Sequence, residues 1–172
     1  MAFDAFLKID GIVGESSDGT IELNSFSFGV ENPNSIGSAT GGAGAGKVSF
    51  SDFNFTSKVG AQSPKILESV LTNKALGEVL LTVTDKSAAN GGSALSIKFS
   101  DVMLSTYKLS EGPASLKIDD GSIKIDALLP AVQNGAPTES VSFNFSQIEF
   151  QTQGSSGTGS TTGWSVVTNK AS

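Results

Sequence analysis

Apolar and polar residues alternate with a period of two along much of this chain. Phe3, Ala5, Leu7 and Ile9 alternate with Asp4, Lys8 and Asp10, and Val79, Leu81 and Val83 form a similar run. That spacing puts successive side chains on opposite faces of an extended backbone and predicts half-buried strands. Further runs occur at Leu95-Ile97-Phe99, Leu116-Ile118, Ile123-Ile125 and Val141-Phe143-Phe145. Asp119-Asp120-Gly121-Ser122 joins two of them as a hairpin turn. Three runs change phase: Phe50 gives way to Phe53 and Phe55, Phe99 to Val102 and Leu104, Phe145 to Ile148 and Phe150. A phase change within a strand predicts a bulge, and repeated bulges favour a curled, closed sheet whose edges are hidden.

A helix is predicted from Ser63 to about Asn73, with Ser63 as N-cap, Pro64 at the first helical position, and Ile66, Leu67, Val70 and Leu71 on one face. The fold class expected is therefore all-β, mainly an antiparallel β-barrel, with one short α-helix packed on the barrel wall. Gly37 to Gly46 and Gly154 to Gly163 are too rich in glycine, serine and threonine to pack and are read as loops. Residues 1–172 are expected to form a single domain, with a flexible C-terminal segment at about 151–172.

Composition narrows the chemistry. A chain of 172 residues can bury a core without staples. It has no cysteine and no histidine, which removes disulfides, thiolate and imidazole catalysis and the usual zinc and copper ligands. All 11 basic residues are lysine and the formal net charge is −6, so nucleic acid and anionic membranes are not expected as partners. Asp4 and Lys8 interrupt the apolar N-terminus, and no run reaches the length of a membrane span. The expectation is cytoplasmic synthesis without a cleaved signal peptide.

Several matches to catalytic motifs fail on context. Gly41-Gly42-Ala43-Gly44-Ala45-Gly46-Lys47 has the spacing of a phosphate-binding loop up to its lysine. Val48 then stands where a hydroxyl should hold magnesium, and Val48 to Phe55 reads as strand, so no helix N-terminus follows. Ser105-Thr106-Tyr107-Lys108 matches a Ser-x-x-Lys element, which needs helical spacing, but lies in a strand pattern. Asp119, Asp120 and Asp126 read as turn chemistry rather than an acid/base pair or calcium site. Asn54-Phe55-Thr56 and Asn144-Phe145-Ser146 fit the glycosylation pattern within predicted strands and are not expected to be modified. No catalytic residue, cofactor or metal site is expected, and the chain is read as not an enzyme.

The ordered set of strands, helix and glycine loop resembles the haemolysin-coregulated protein family, Hcp. Phe3-Asp4-Ala5-Phe6-Leu7-Lys8-Ile9-Asp10-Gly11-Ile12, followed by Gly14-Glu15-Ser16, is similar to that family's first strand and turn. The runs Ile21 to Val30 and Gly46 to Phe53 resemble its second and third strands. Ser63-Pro64-Lys65-Ile66-Leu67 resembles its helix start, Thr138 to Phe150 its late strand, and Gly163-Trp164-Ser165-Val166-Val167-Thr168-Asn169-Lys170 its ending. The likeness runs from about Phe3 to Lys170. It departs at Gly60-Ala61-Gln62, where an aspartate is expected before Ser63, and at Ser165, where the family often has aspartate.

The resemblance implies a subunit of the type VI secretion inner tube: a homohexameric ring, stacked head to tail, secreted with the tube, and able to carry effector proteins in its lumen. Its implied partners are itself, other secretion-apparatus components and effectors, with no membrane insertion. It also implies that the glycine loop reaches a neighbouring subunit or ring, which makes Gly41, Gly42, Gly44 and Gly46 candidate interface residues. The alternative is a monomeric barrel that binds a protein or carbohydrate without catalysis, favoured by an exposed groove around Trp164. A carboxylate hydrolase would need two acids converging in a pocket, and the 22 residues after Phe150 are too few for a fused toxin domain.

Overall fold

The computed structural model describes residues 3–33, 47–85, 93–110, 116–119, 122–125, 137–153 and 159–172. In chain order the elements are β1 (Phe3–Ile9), β2 (Ile21–Ser27), β3 (Val30–Glu31), β4 (Ser49–Phe50), β5 (Phe53–Lys58), α1 (Ser63–Leu71), β6 (Ala75–Asp85), β7 (Ser93–Ser110), β8 (Leu116–Asp119), β9 (Ser122–Ile125), β10 (Thr138–Asn144), β11 (Gln147–Gln153), β12 (Gly159–Ser165) and β13 (Lys170–Ala171). Strands β10, β5, β2, β1, β6 and β7 follow one another as antiparallel neighbours, and β10 pairs back onto β7. The result is a closed six-stranded antiparallel barrel. Strands β11, β12 and β13 extend from the first half of β7 as a side sheet, while β3–β4 and β8–β9 form separate two-stranded pairs.

The period-two pattern explains the core. Leu7, Phe53, Phe55, Val79, Leu81, Ile97, Phe99, Val141 and Phe143 all point inward and are essentially inaccessible. Phe53 sits at their centre, its ring 4.8 Å from Phe143 in a stacked arrangement and 5.1 Å from Phe99. Burying each such ring contributes roughly 2–3 kcal/mol from the area removed from water, and the offset ring contacts add about 0.5–1.5 kcal/mol per pair.

The three phase changes have different origins. Only the one from Phe99 to Val102 lies within a continuous strand, β7, where Asp101 takes φ 50°. Its carboxylate accepts the Ser146 hydroxyl at 2.6 Å, and Ser100 O accepts the Ser146 N–H at 3.0 Å. At this corner β7 changes partner: Leu95 to Ser100 pair with β11, and Met103 to Ser110 with β10. A second irregularity opposite Ser142/Phe143 adds to the curl. The other two phase changes are breaks between strands rather than bulges. The Ser51 N–H donates to Gly29 O at 3.0 Å and the Ser51 hydroxyl accepts the Gly29 N–H at 2.7 Å, in place of a backbone acceptor, which ends β4 before β5 begins. Ser146 likewise separates β10 from β11.

The helix corrects the expectation in three ways. It ends at Leu71, because Thr72 turns both its N–H and its hydroxyl onto Glu68 O and Asn73 follows at φ 48°. Its N-cap is Gln62, with Ser63 already inside the helix and its hydroxyl accepting the Gly60 N–H at 3.0 Å. Its buried side is Ser63, Ile66 and Ser69, with Val70 half-buried, whereas Leu67 and Leu71 are exposed. Small serines let the helix lie close against β7, and Ser69 satisfies its hydroxyl on Lys65 O. The expected position on the barrel wall is observed.

The loop expected from Gly154 to Gly163 is corrected in its second half, residues 154–158 lying outside the described residues. Gly159 to Gly163 belong to β12, paired with β11 from Gln153↔Gly159 to Glu149↔Gly163. Serine, threonine and glycine give no hydropathy alternation, so this strand is silent in the sequence. At Gly163 a side chain would collide with Ser172, whose N–H bonds Gly163 O. The predicted β8–β9 hairpin is present, with Asp119 opposite Ser122. The Gly37 to Gly46 loop lies outside the described residues. Among the described residues no helix is long and apolar enough to cross a membrane.

Candidate functional site

Beneath the start of α1 the barrel holds a buried polar cluster. Glu139 on β10 is fully buried, and its Oε1 accepts the Ser57 hydroxyl at 3.0 Å and Gln62 Nε2 at 3.1 Å. Gln62 Nε2 also donates to Lys58 O at 2.9 Å. Tyr107 on β7 brings its phenol to the same place. Burial pushes the phenol above its ordinary value of 10, the Glu139 charge and hydrogen bond push the same way, and a bond with Ser63 opposes them. Hydrogen bonds to a charged group are worth roughly 1.5–3 kcal/mol each, so the Ser57 and Gln62 bonds fix the turn before α1 against β5 and β10, while Glu139 Oε2 is buried without a hydrogen-bond partner among the described residues.

Sequence reasoning missed these residues although a signal was present. Glu139 stands in phase with Val141 and Phe143, and Ser57 in phase with Phe53 and Phe55. Period two therefore sends both inward, and a carboxylate sent inward needs donors. Gln62 is one of the departures from the Hcp pattern, and here it supplies one of the donors. At the other departure, Ser165 accepts the Thr168 N–H at 3.2 Å with its hydroxyl, a bond an aspartate could also accept.

One outer wall of the barrel is neutral and rich in hydroxyls. Across β2, β5, β10 and β7, Ser27 pairs with Asn54, Asn54 with Ser142 and Ser142 with Thr106. The next row is Ser25, Thr56, Ser140 and Lys108. Ser142 Oγ donates to Asn54 Oδ1 at 2.5 Å, and Ser25 and Thr56 share a hydrogen bond of 2.6 Å. Such a wall offers hydrogen bonds in both directions with no charge until Lys108 is reached.

The motif residues fall where the strand reading put them. Lys47 is exposed and is followed by β4, not by a helix. Ser105 and Lys108 both lie on β7, and Ser105 donates to Asp52 at 3.0 Å. Asn54 lies within β5 and Asn144 ends β10. Asp119 ends β8 opposite Ser122 of β9, while Asp120 and Asp126 lie outside the described residues. Among the described residues no three acidic side chains are grouped to hold a metal. Trp164 is half-buried against the core. Gly41, Gly42, Gly44 and Gly46 lie outside the described residues.

A closed antiparallel barrel with a helix seated on its wall and a shared-strand side sheet defines the class of this protein as a small β-barrel. The chain belongs to the family described as type VI secretion system effector, Hcp, whose sequence profile matches residues 6–152. No curated protein matches it in sequence. Solved structures agree in fold. A type six secretion system protein is 23% identical with a TM-score of 0.77, over 99% of this chain and 100% of its own. Hcp1 from Salmonella typhimurium is 24% identical with a TM-score of 0.72, over 100% of both chains. A type VI secretion system effector from Yersinia pestis is 21% identical with a TM-score of 0.65, over 94% of this chain and 99% of its own.

Proposed function

We propose that this chain, as one domain spanning residues 1–172, is a structural subunit of the type VI secretion inner tube. Copies associate head to tail into a hexameric ring, rings stack, and the assembly leaves the cytoplasm with the tube, carrying effector proteins in its lumen. The observation that carries this reading is the Hcp family match over residues 6–152. A repeated heterologous contact closes into a ring when its rotation divides the circle, and stacking then reuses the two ring faces. Gly41, Gly42, Gly44 and Gly46 supply the close-approach segment of that interface, since glycine lets a backbone lie against a partner. The protein works by assembly rather than catalysis. Trp164, packed against the core, offers poor support for a monomeric sugar-binding groove.

Light scattering on a sizing column, followed by negative-stain imaging of the peak, tests the reading. A mass near six chains and particles with a central hole are expected. A strict monomer at high concentration overturns it.

A further inference from the structure

Beside the seat of α1 opens a cleft of about 200 Å³, lined by Glu15, Ser16, Thr20, Glu22, Lys58 and Gln62 among others. Gln62 is only 3% exposed. Its amide orientation is fixed, because Nε2 donates to both Lys58 O and Glu139 Oε1. Its Oε1 is therefore turned the other way and is buried without a hydrogen-bond partner. Glu15 reaches the same spot: its Oε1 accepts the Ala61 N–H at 3.2 Å. A side chain on Gly60 would place a Cβ 2.6 Å from Glu15 Oε1 and 2.7 Å from Gln62 Oε1. The glycine leaves room for two acceptor oxygens to converge, one of them unsatisfied.

Among the charged lining residues Glu22 and Lys58 are opposite in sign, and Glu15 is left as the excess carboxylate. The arrangement calls for a singly charged donor with more than one N–H. An ammonium fits that description, while a divalent cation would want several more charged oxygens.

We propose that this cleft receives the ammonium of a lysine from a second copy of the chain, held by Glu15 and Gln62 Oε1. The occupant follows from composition. Every basic side chain here is lysine, so a lysine ammonium is the cationic donor that a second copy brings, and at a net charge of −6 such a contact offsets repulsion between copies. Glu15 is exposed, and a Cβ at Gly60 would meet both its Oε1 and the amide oxygen, so the two acceptors lie together at the cleft. The inference rests on the ring reading above and names one contact of that interface.

Rings assembled from mixed light- and heavy-nitrogen chains are treated with a carbodiimide, and the cross-linked peptides are read by mass spectrometry. An interchain link between Glu15 and a lysine is expected, lost in Glu15→Gln. The same variant should raise the concentration at which rings dissociate by about tenfold, the scale of one charge-assisted hydrogen bond. Normal rings in which Glu15 is linked only to Lys58 of its own chain, or to nothing, overturn this contact and leave the ring reading standing. A chain that stays monomeric at every concentration overturns both.

Discussion

Gln62 Nε2 donates to Glu139 Oε1 at 3.1 Å, across 77 positions of sequence, and joins the turn before α1 to strand β10. Removing the acceptor strands the Ser57 hydroxyl and one of the two Gln62 Nε2 N–H groups, the other staying on Lys58 O. Each costs about 1–3 kcal/mol when left unpaired. Glu139→Ala is therefore expected to lower stability by roughly 3 kcal/mol, on the same scale. Glu139→Gln keeps an acceptor oxygen and should lose less than half of that. The urea midpoint, at an unchanged slope, reads both.

The alkaline limb of the stability curve tests Tyr107. Its folded-state pKa is raised, so the native state holds the phenol proton more tightly than the unfolded chain does. That contribution is fully present below about 10 and is lost as pH rises through the folded value. The chain has one tyrosine, so phenolate absorbance reports this residue alone, and a titration midpoint above 10 is expected. Tyr107→Phe should flatten the part of the alkaline fall that this phenol carries, and an unaltered curve counts against the assignment.

Asp101 combines a left-handed backbone with a hydrogen bond to Ser146. A left-handed residue with an ordinary Cβ costs about 1–2 kcal/mol, and a β-branched one more. Asp101→Val should thus be destabilising, by about 2 kcal/mol or more on that scale. Asp101→Asn should stay within about 1 kcal/mol of the parent. Thermal unfolding of the two variants separates backbone strain from the loss of the carboxylate's charge.

Phe53 touches Phe26, Phe28, Phe55, Phe99 and Phe143 and has no exposed surface. Phe53→Ala is expected to cost about 3–5 kcal/mol and Phe53→Leu considerably less. Denaturant melts give the comparison.

Deleting Gly41 to Gly46 should separate folding from assembly. Circular dichroism and melting are expected to change little, while stacks of rings in electron micrographs become shorter or disappear. Unchanged stacks would remove the loop from the interface.

The barrel was legible because large apolar residues alternate against charged ones, as from Phe3 to Asp10. The helix was legible in position but not in orientation. Leu67 and Leu71 have the hydrophobicity of a buried face, yet the contact is made by Ser63 and Ser69, whose small size permits close approach and whose hydroxyls find partners locally. Strand β12 was invisible because Gly159-Ser160-Thr161-Thr162-Gly163 carries no apolar alternation. Its pairing with β11 is set by tertiary context. Glu139 was legible in principle from its phase, but not its partners, since Gln62 and Tyr107 come from distant parts of the chain.

The corner at Asp101 also limits how these molecules can adhere. Because β7 turns there from β11 to β10, the barrel is sealed, and each of its six strands is flanked on both sides. Among the described residues, an outside strand can therefore be added only to the side sheet or to the β3–β4 and β8–β9 ribbons. This gives the molecule a low and directional valence for backbone pairing, with most of its circumference inert. Copies built this way are protected from indiscriminate sheet growth, so any contact between them is left to side chains, loops and the few open edges.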